Sequence, residues 1–170
     1  ERHGFLGGAA TAGAVAQFVG WTTRAGRSVV RGIAADIVVA LIAAGGAAGL
    51  DHFVMSTGHV MNRVLYDPEI LKLVLDGLCA DAGVAVRFHA ALSGVEAADG
   101  RVGAIQIAAP DGPRRCEGRM FVDASGDMAL LAGAGARFLA AAPQGRQPAT
   151  MMFAMAPVDF DRLEALAPAA

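Results

Sequence analysis

Residues 67–88 read DPEILKLVLDGLCADAGVAVRF, and this stretch decides most of the fold. Asp67 can accept backbone hydrogen bonds as an N-cap, Pro68 suits the first helical position, and Glu69 faces the positive end of the helix dipole. Apolar residues then recur at helical spacing until Gly83. The pattern therefore predicts an amphipathic helix that ends at this glycine.

A short strand is predicted directly after the helix. Val84, Val86 and Phe88 alternate with Ala85 and Arg87, which is the period of a half-buried strand. A helix followed at once by a strand indicates a β-α-β layer, so we expect a parallel sheet.

Further along the chain, three apolar segments predict an antiparallel meander. Two turn signals, Asp99-Gly100 and Asp111-Gly112, separate the segments, and both are typical of hairpins. The strands are expected at 92–97, 102–108 and 114–117. The fold class is therefore α/β, with a parallel sheet and a three-stranded antiparallel meander.

After the meander, residues 120–122 are expected to form a brief strand that runs into the turn Asp123-Ala124-Ser125-Gly126-Asp127. A helix can begin at Met128. Such a turn at the carboxyl end of a strand is where open α/β sheets bind ligands. Asp127 is a candidate cap for that helix, and a capped helix N-terminus is also suited to binding anions, so both roles can coexist.

The segments on either side of this core are simpler. Gly7 to Gly13 is too rich in glycine for a helix interior and is expected to form a tight loop. Residues 30–44 are apolar on nearly every face, which predicts a buried helix ended by Gly45-Gly46. Residues 150–155 resemble a strand.

The composition excludes several classes of protein. The formal net charge is −2, without basic runs, which argues against a nucleic-acid partner. Cys79 and Cys116 have no metal-ligand spacing, so we expect neither a zinc site nor a disulfide framework. A reducing, cytoplasmic location fits best. Asp36 interrupts the one stretch that could be mistaken for a membrane span.

An acid followed closely by two glycines suggests nucleotide binding. The Glu1 carboxylate can accept both hydroxyls of a ribose, and Gly7 and Gly8 let the backbone approach a cofactor without an intervening Cβ. Taken alone, the two glycines are also explained by an ordinary turn.

The order of these motifs resembles the FAD-dependent oxidoreductases, whose fold is like that of glutathione reductase. The motifs are Glu1, Leu6-Gly7-Gly8 with Thr11, Asp67-Pro68-Glu69, and Asp123 to Asp127 with Ser125 where the family has threonine. The resemblance implies FAD as cofactor and redox chemistry on an unidentified small organic substrate. It also implies a set of cofactor-binding residues: Glu1, Gly7, Gly8, Thr11, Val86, Gly126 and Asp127.

The resemblance also implies how the chain is divided. Residues 1–28 and 67–139 are expected in the FAD-binding domain, and 29–66 and 140–170 in a substrate or cap domain. The family's Gly-x-Gly-x-x-Gly loop belongs before Glu1, so we interpret the chain as an internal piece that is inactive alone. A nicotinamide-dependent Rossmann dehydrogenase and a non-catalytic piece that binds no cofactor remain alternatives.

No catalytic residue can be assigned from the sequence. His59, Arg63 and Arg146 lie in the segments least like the cofactor domain, and arginine suits a substrate carboxylate. A surface role is the favoured interpretation of each of them. The region after Gly8 contains no cysteine pair, which excludes the dithiol chemistry of flavoprotein disulfide reductases.

Overall fold

The computed structural model describes residues 1–23, 25–54, 58–139, 145 and 148–166. A short 3₁₀ turn covers Gly8–Ala10. The other elements, in chain order, are β1 (Gln17–Val19), α1 (Ile33–Ala43), β2 (Ala47–Val54), β3 (Val60–Tyr66), α2 (Pro68–Asp81), β4 (Ala91–Ala98), β5 (Arg101–Ala108), β6 (Arg114–Glu117), α3 (Ala129–Gly133) and α4 (Phe160–Leu166).

The first sheet has the order β1-β3-β2, and both of its strand pairs are antiparallel. Leu41 of α1, Tyr66 at the end of β3 and Leu71 of α2 form one buried cluster. This cluster holds the two helices against the sheet, because burying its apolar side chains is the main favourable term in folding.

Helix α2 confirms the prediction for residues 67–83. The Glu69 N–H donates to Asp67 Oδ1 at 2.8 Å, which is the expected N-cap bond. At the other end, Gly83 has a φ of 67°, and the Val84 N–H returns to the Cys79 carbonyl at 2.9 Å. Glycine adopts this left-handed conformation without a Cβ penalty, so the helix ends where the sequence indicated.

The second sheet confirms the meander. Its order is β4-β5-β6 with antiparallel pairing throughout. Asp99 and Gly100 have φ values of 51° and 74°, the two positive values that a tight hairpin turn requires. Helix α3 packs closely on this sheet, since a Cβ on Gly133 would lie 2.5 Å from Val95 Cγ2.

The predicted parallel sheet does not occur as regular strands in the described part of the chain. Residues 84–88, 120–122 and 150–155 are all irregular, so these three strand predictions are wrong. A strand needs a neighbour to accept its hydrogen bonds. Met120 and Val122 are 84% and 82% exposed, so the apolar pattern of this segment is not buried by the residues described.

Residues 87–90 nevertheless pair with the first residues of the chain. The Glu1 nitrogen donates to the Arg87 carbonyl at 2.9 Å, and the Ala90 N–H donates to the Glu1 carbonyl at 2.9 Å. The His89 N–H also donates to the His3 carbonyl at 3.1 Å. In a regular parallel pair the two partners of one residue are two positions apart, whereas Arg87 and Ala90 are three apart and His89 between them has a φ of 52°, so this pairing is irregular.

Helix α1 ends before Gly45 as predicted, but the expectation that it is buried is wrong. Leu41 is its one buried residue, and Ile33 is 78% exposed. Because the sheet and α2 cover only one side of α1, its other apolar side chains face outward. No helix in the described ranges is both long and apolar enough to cross a bilayer.

Candidate cofactor site

The loop that begins at Gly7 contains two glycines with different requirements. Gly7 has a φ of 112°, and a Cβ there would lie 2.6 Å from the side chain of Thr11. Gly8 has a φ of 51°, and a Cβ there would meet nothing within 4 Å. Gly7 is therefore needed to close the loop, whereas Gly8 presents an open stretch of backbone.

Two side chains fix this glycine loop, which we define as residues 7–15. The Thr11 hydroxyl, in a residue only 7% exposed, donates to the Leu6 carbonyl at 2.7 Å. The Tyr66 hydroxyl reaches the Ala10 carbonyl at 3.1 Å and also contacts the Val15 carbonyl. The loop conformation therefore depends on a residue more than fifty positions further along the chain.

Tyr66 itself is held rigidly. It is 6% exposed, and its ring packs on Phe18 with the centroids 4.3 Å apart. Burial raises the pKa of Tyr66 to about 12, so the hydroxyl remains a protonated donor even at alkaline pH values at which an exposed tyrosine ionises. The sequence pattern did not predict this role of Tyr66. A signal was present, because a tyrosine that is buried against an apolar helix needs a partner for its hydroxyl.

The structure brings Glu1 next to the segment that contains Val86. The backbone bonds from Glu1 to Arg87 and Ala90 place it alongside the residues that follow Val86. One carboxylate oxygen of Glu1 accepts the His3 N–H at 2.8 Å. The carboxylate has no other hydrogen bond within the described ranges, so its second oxygen is available to a ligand.

The turn at 123–127, which we call the aspartate turn, is held by its own side chains. Asp123 Oδ1 accepts the Ser125 backbone N–H at 3.0 Å and the Ser125 hydroxyl at 2.6 Å. Asp123 Oδ2 accepts the Leu131 N–H at 3.1 Å. These hydrogen bonds, first those from Ser125 and then that from Leu131, lower the pKa of Asp123.

Helix α3 begins differently from the expectation. Its N-cap is Met128, and the Ser125 hydroxyl accepts the Ala129 N–H at 3.1 Å, so the prediction that Asp127 caps this helix is wrong. Asp123 and Ser125 are close enough to reach the free N–H groups, which leaves the Asp127 carboxylate without a hydrogen bond in the part of the chain described. Gly126 has a φ of 82°, and a Cβ there would meet nothing within 4 Å.

The expected site residues form three groups. Glu1 and the segment with Val86 are joined by backbone hydrogen bonds, and Thr11 braces the loop with Gly7 and Gly8. The aspartate turn belongs to the meander side, through α3 and β4. Among described residues, no hydrogen bond, ion pair or ring contact joins this turn to the glycine loop.

The other candidate residues lie elsewhere. Arg63 is on β3, the middle strand of the first sheet, and Arg146 lies outside the described residues. His59 lies just before β3 and takes part in an interaction of its own. Cys79 and Cys116 are free, half-buried thiols. Groups of three or more metal-ligating side chains are absent from the described ranges.

Comparison with known proteins identifies the family. A family model described as FAD dependent oxidoreductase matches residues 1–169. The chain belongs to the FAD-dependent oxidoreductase family. The expected family and the expected cofactor, FAD, are thereby confirmed. The curated proteins and the solved structures gave no match to this FAD-dependent oxidoreductase.

Proposed function

We propose that this chain helps to hold FAD in an enzyme that transfers hydride or electrons between a small organic substrate and the flavin. The isoalloxazine ring of bound FAD supplies the redox chemistry, and the protein supplies binding, orientation and electrostatics. This proposal rests on the family match over residues 1–169 and on the geometry of two glycines.

Gly8 and Gly126 carry the structural argument. Both occur at the positions where the family resemblance implies contact with the cofactor. Both also have positive φ and open space where a side chain would be, which they share with other glycines such as Gly45 and Gly100, so their position in the family motifs distinguishes them. Positive φ and open space at Cβ are what a backbone needs when a ligand approaches it closely. The residues present therefore fit the cofactor that the family implies.

The remaining site residues are proposed in specific roles. The free carboxylate oxygen of Glu1 would accept ribose hydroxyls, and the backbone at Val86 would contact the adenine. Thr11 would act by bracing the loop, since its hydroxyl already bonds the Leu6 carbonyl. The Asp127 carboxylate, which accepts no hydrogen bond from the described residues, would accept a hydroxyl of the ribityl chain near the phosphates.

We also propose the division into an FAD-binding part, 1–28 and 67–139, and a substrate part, 29–66 and 140–170. Strand β1 lies in the first part but pairs with β3 of the second, so the sheet β1-β3-β2 connects the two. The free thiols of Cys79 and Cys116 fit a reducing compartment, and a cytoplasmic location is part of the proposal.

A matched pair of glycine variants tests the cofactor site. Gly8→Val and Gly100→Val place the same branched side chain at open positions in the left-handed region, with φ of 51° and 74°, so both carry similar backbone strain. Gly100 lies in the β4-β5 hairpin, at the other end of β4 from the residues that pair with Glu1. In the complete gene product, we expect Gly8→Val to abolish bound flavin and Gly100→Val to retain it.

The readout is the flavin absorbance of purified protein, normalised to protein folded by circular dichroism. A Gly8→Val protein that remains yellow with normal flavin content would contradict the site. A colourless parent protein that binds a nicotinamide nucleotide instead would favour the Rossmann dehydrogenase. A colourless parent that binds neither would support a non-catalytic role.

A further inference from the structure

Arg63 occupies a central position on the outer face of the first sheet. Strand β3 is the middle strand, and Arg63 is paired in register with Val19 on one side and Asp51 on the other. Side chains alternate along a strand, so Arg63 points away from the face that carries the buried residue Val64.

The guanidinium of Arg63 is fixed in place. Its Nε donates to Asp51 Oδ2 at 3.1 Å, and its Cζ lies 4.3 Å from the centroid of the Phe53 ring. The side chain is 25% exposed. The Phe53 ring covers one face of the guanidinium, and Asp51 occupies its Nε. The outer edge, which carries both terminal nitrogens, therefore faces away from these two partners.

Other arginines that form ion pairs use their terminal nitrogens to do so. Arg87 and Arg114 each use a terminal nitrogen to contact Asp111, and Arg115 uses both of its terminal nitrogens, one for Glu96 and one for Glu117. The terminal nitrogens of Arg63 have no partner among the residues that the structure describes. Arg63 is thus held for binding but still has its two outer donors available.

Apolar side chains surround this charge on the same face. Val19 and Leu65 are about half exposed, and the strand register places Phe53 opposite Met61. By alternation, all four lie on the face that carries Arg63. The surface therefore combines a fixed guanidinium, paired through Nε with Asp51 but open at its outer edge, with an apolar floor, which suits a ligand that has an anionic head and an apolar body.

We propose that Arg63 binds the carboxylate of an organic acid whose apolar or aromatic body rests on Val19, Phe53, Met61 and Leu65. Such an acid would be the substrate of the proposed flavoenzyme, so this inference rests on the proposed function. A planar carboxylate matches the two outer N–H groups of a guanidinium. Arg115, which contacts both Glu96 and Glu117, shows that one guanidinium in this chain accommodates two carboxylates.

Calorimetric titration of the complete gene product with benzoate, and with the neutral isostere benzamide, tests the inference. We expect benzoate to bind more tightly than benzamide. Arg63→Gln should raise the dissociation constant for benzoate by about tenfold or more, the effect of losing a charge-assisted hydrogen bond, and leave that for benzamide unchanged. Arg63→Lys, which keeps the charge but loses the fork, should recover only part of the affinity.

Arg101→Gln is the matched control, because Arg101 is an exposed strand arginine of the other sheet. It should leave both dissociation constants unchanged. The inference is overturned if benzoate does not bind the parent protein, if it binds no better than benzamide, or if Arg63→Gln binds it normally. Calorimetry detects binding with or without flavin. A protein that lacks flavin therefore contradicts the proposed function, whereas a yellow protein with Arg63-independent binding contradicts only this inference.

Discussion

The glycine loop and the aspartate turn are both expected to contact FAD, yet they are held in opposite ways. The glycine loop is fixed from inside, by the buried hydroxyls of Thr11 and Tyr66. The aspartate turn is exposed and is fixed by hydrogen bonds that Asp123 and Ser125, residues of the turn itself, accept.

This difference separates two ways of shaping a ligand-binding backbone. A turn that carries its own hydrogen-bond acceptors needs only local sequence, so its shape is independent of distant packing. A loop fixed by a buried side chain depends on the sheet that supplies that side chain. Perturbing β3 should therefore alter the glycine loop and leave the aspartate turn intact.

The largest difference in unfolding free energy is expected between Gly7→Ala and Gly126→Ala. At Gly7 the new Cβ would collide with Thr11, so strain and overpacking together should cost about 3 kcal/mol of unfolding free energy. At Gly126 only the positive φ is strained, at about 1 kcal/mol. Urea unfolding followed by the fluorescence of Trp21 measures both. Equal losses would show that the glycine loop is not held more tightly than the turn.

A smaller and more selective effect is expected from Tyr66→Phe. The ring keeps its packing on Phe18, but the Ala10 and Val15 carbonyls lose their donor, which should cost about 1–2 kcal/mol. Amide hydrogen exchange at Val15 should accelerate, while exchange at Leu131, whose N–H donates to Asp123 of the aspartate turn, serves as the internal control. Acceleration at both sites, or at neither, would contradict the view that the glycine loop and the aspartate turn are held independently.

The smallest effect is a difference in pH dependence. Hydrogen bonds lower the pKa of Asp123 below its ordinary value of 3.8, so their contribution is present above that value and is lost as the pH falls below it. Burial raises the pKa of Tyr66 from 10.0 to about 12, so its contribution is complete below 10.0 and is lost as the pH rises towards about 12.

Carbon-detected NMR of the Asp123 and Tyr66 side chains checks these opposite pKa shifts. Acid should release the aspartate turn first, and alkali should release the glycine loop first. Asp123→Asn should remove the acid response, and Asp127→Asn should not, because the Asp127 carboxylate accepts no hydrogen bond within the described part of the chain. A normal midpoint for Asp123 would mean that its hydrogen bonds are not maintained in solution.

The successful predictions from sequence share a local cause. The cap at Asp67, the stop at Gly83 and the hairpin turn at Asp99-Gly100 each depend on backbone preferences within a few residues. The three strands predicted at 84–88, 120–122 and 150–155 failed for the converse reason. A strand is stable only when another strand accepts its hydrogen bonds, and an alternating pattern cannot supply that neighbour.

The sequence by itself determined the capped helix α2, the meander and the presence of a turn at 123–127, because the groups that stabilise them are near one another along the chain. Tertiary structure alone decided that Tyr66 anchors the glycine loop and that Arg63 lies on Phe53 beside Asp51. These contacts join residues on different strands or in distant segments. Their geometry follows from strand register and burial, which no local pattern specifies.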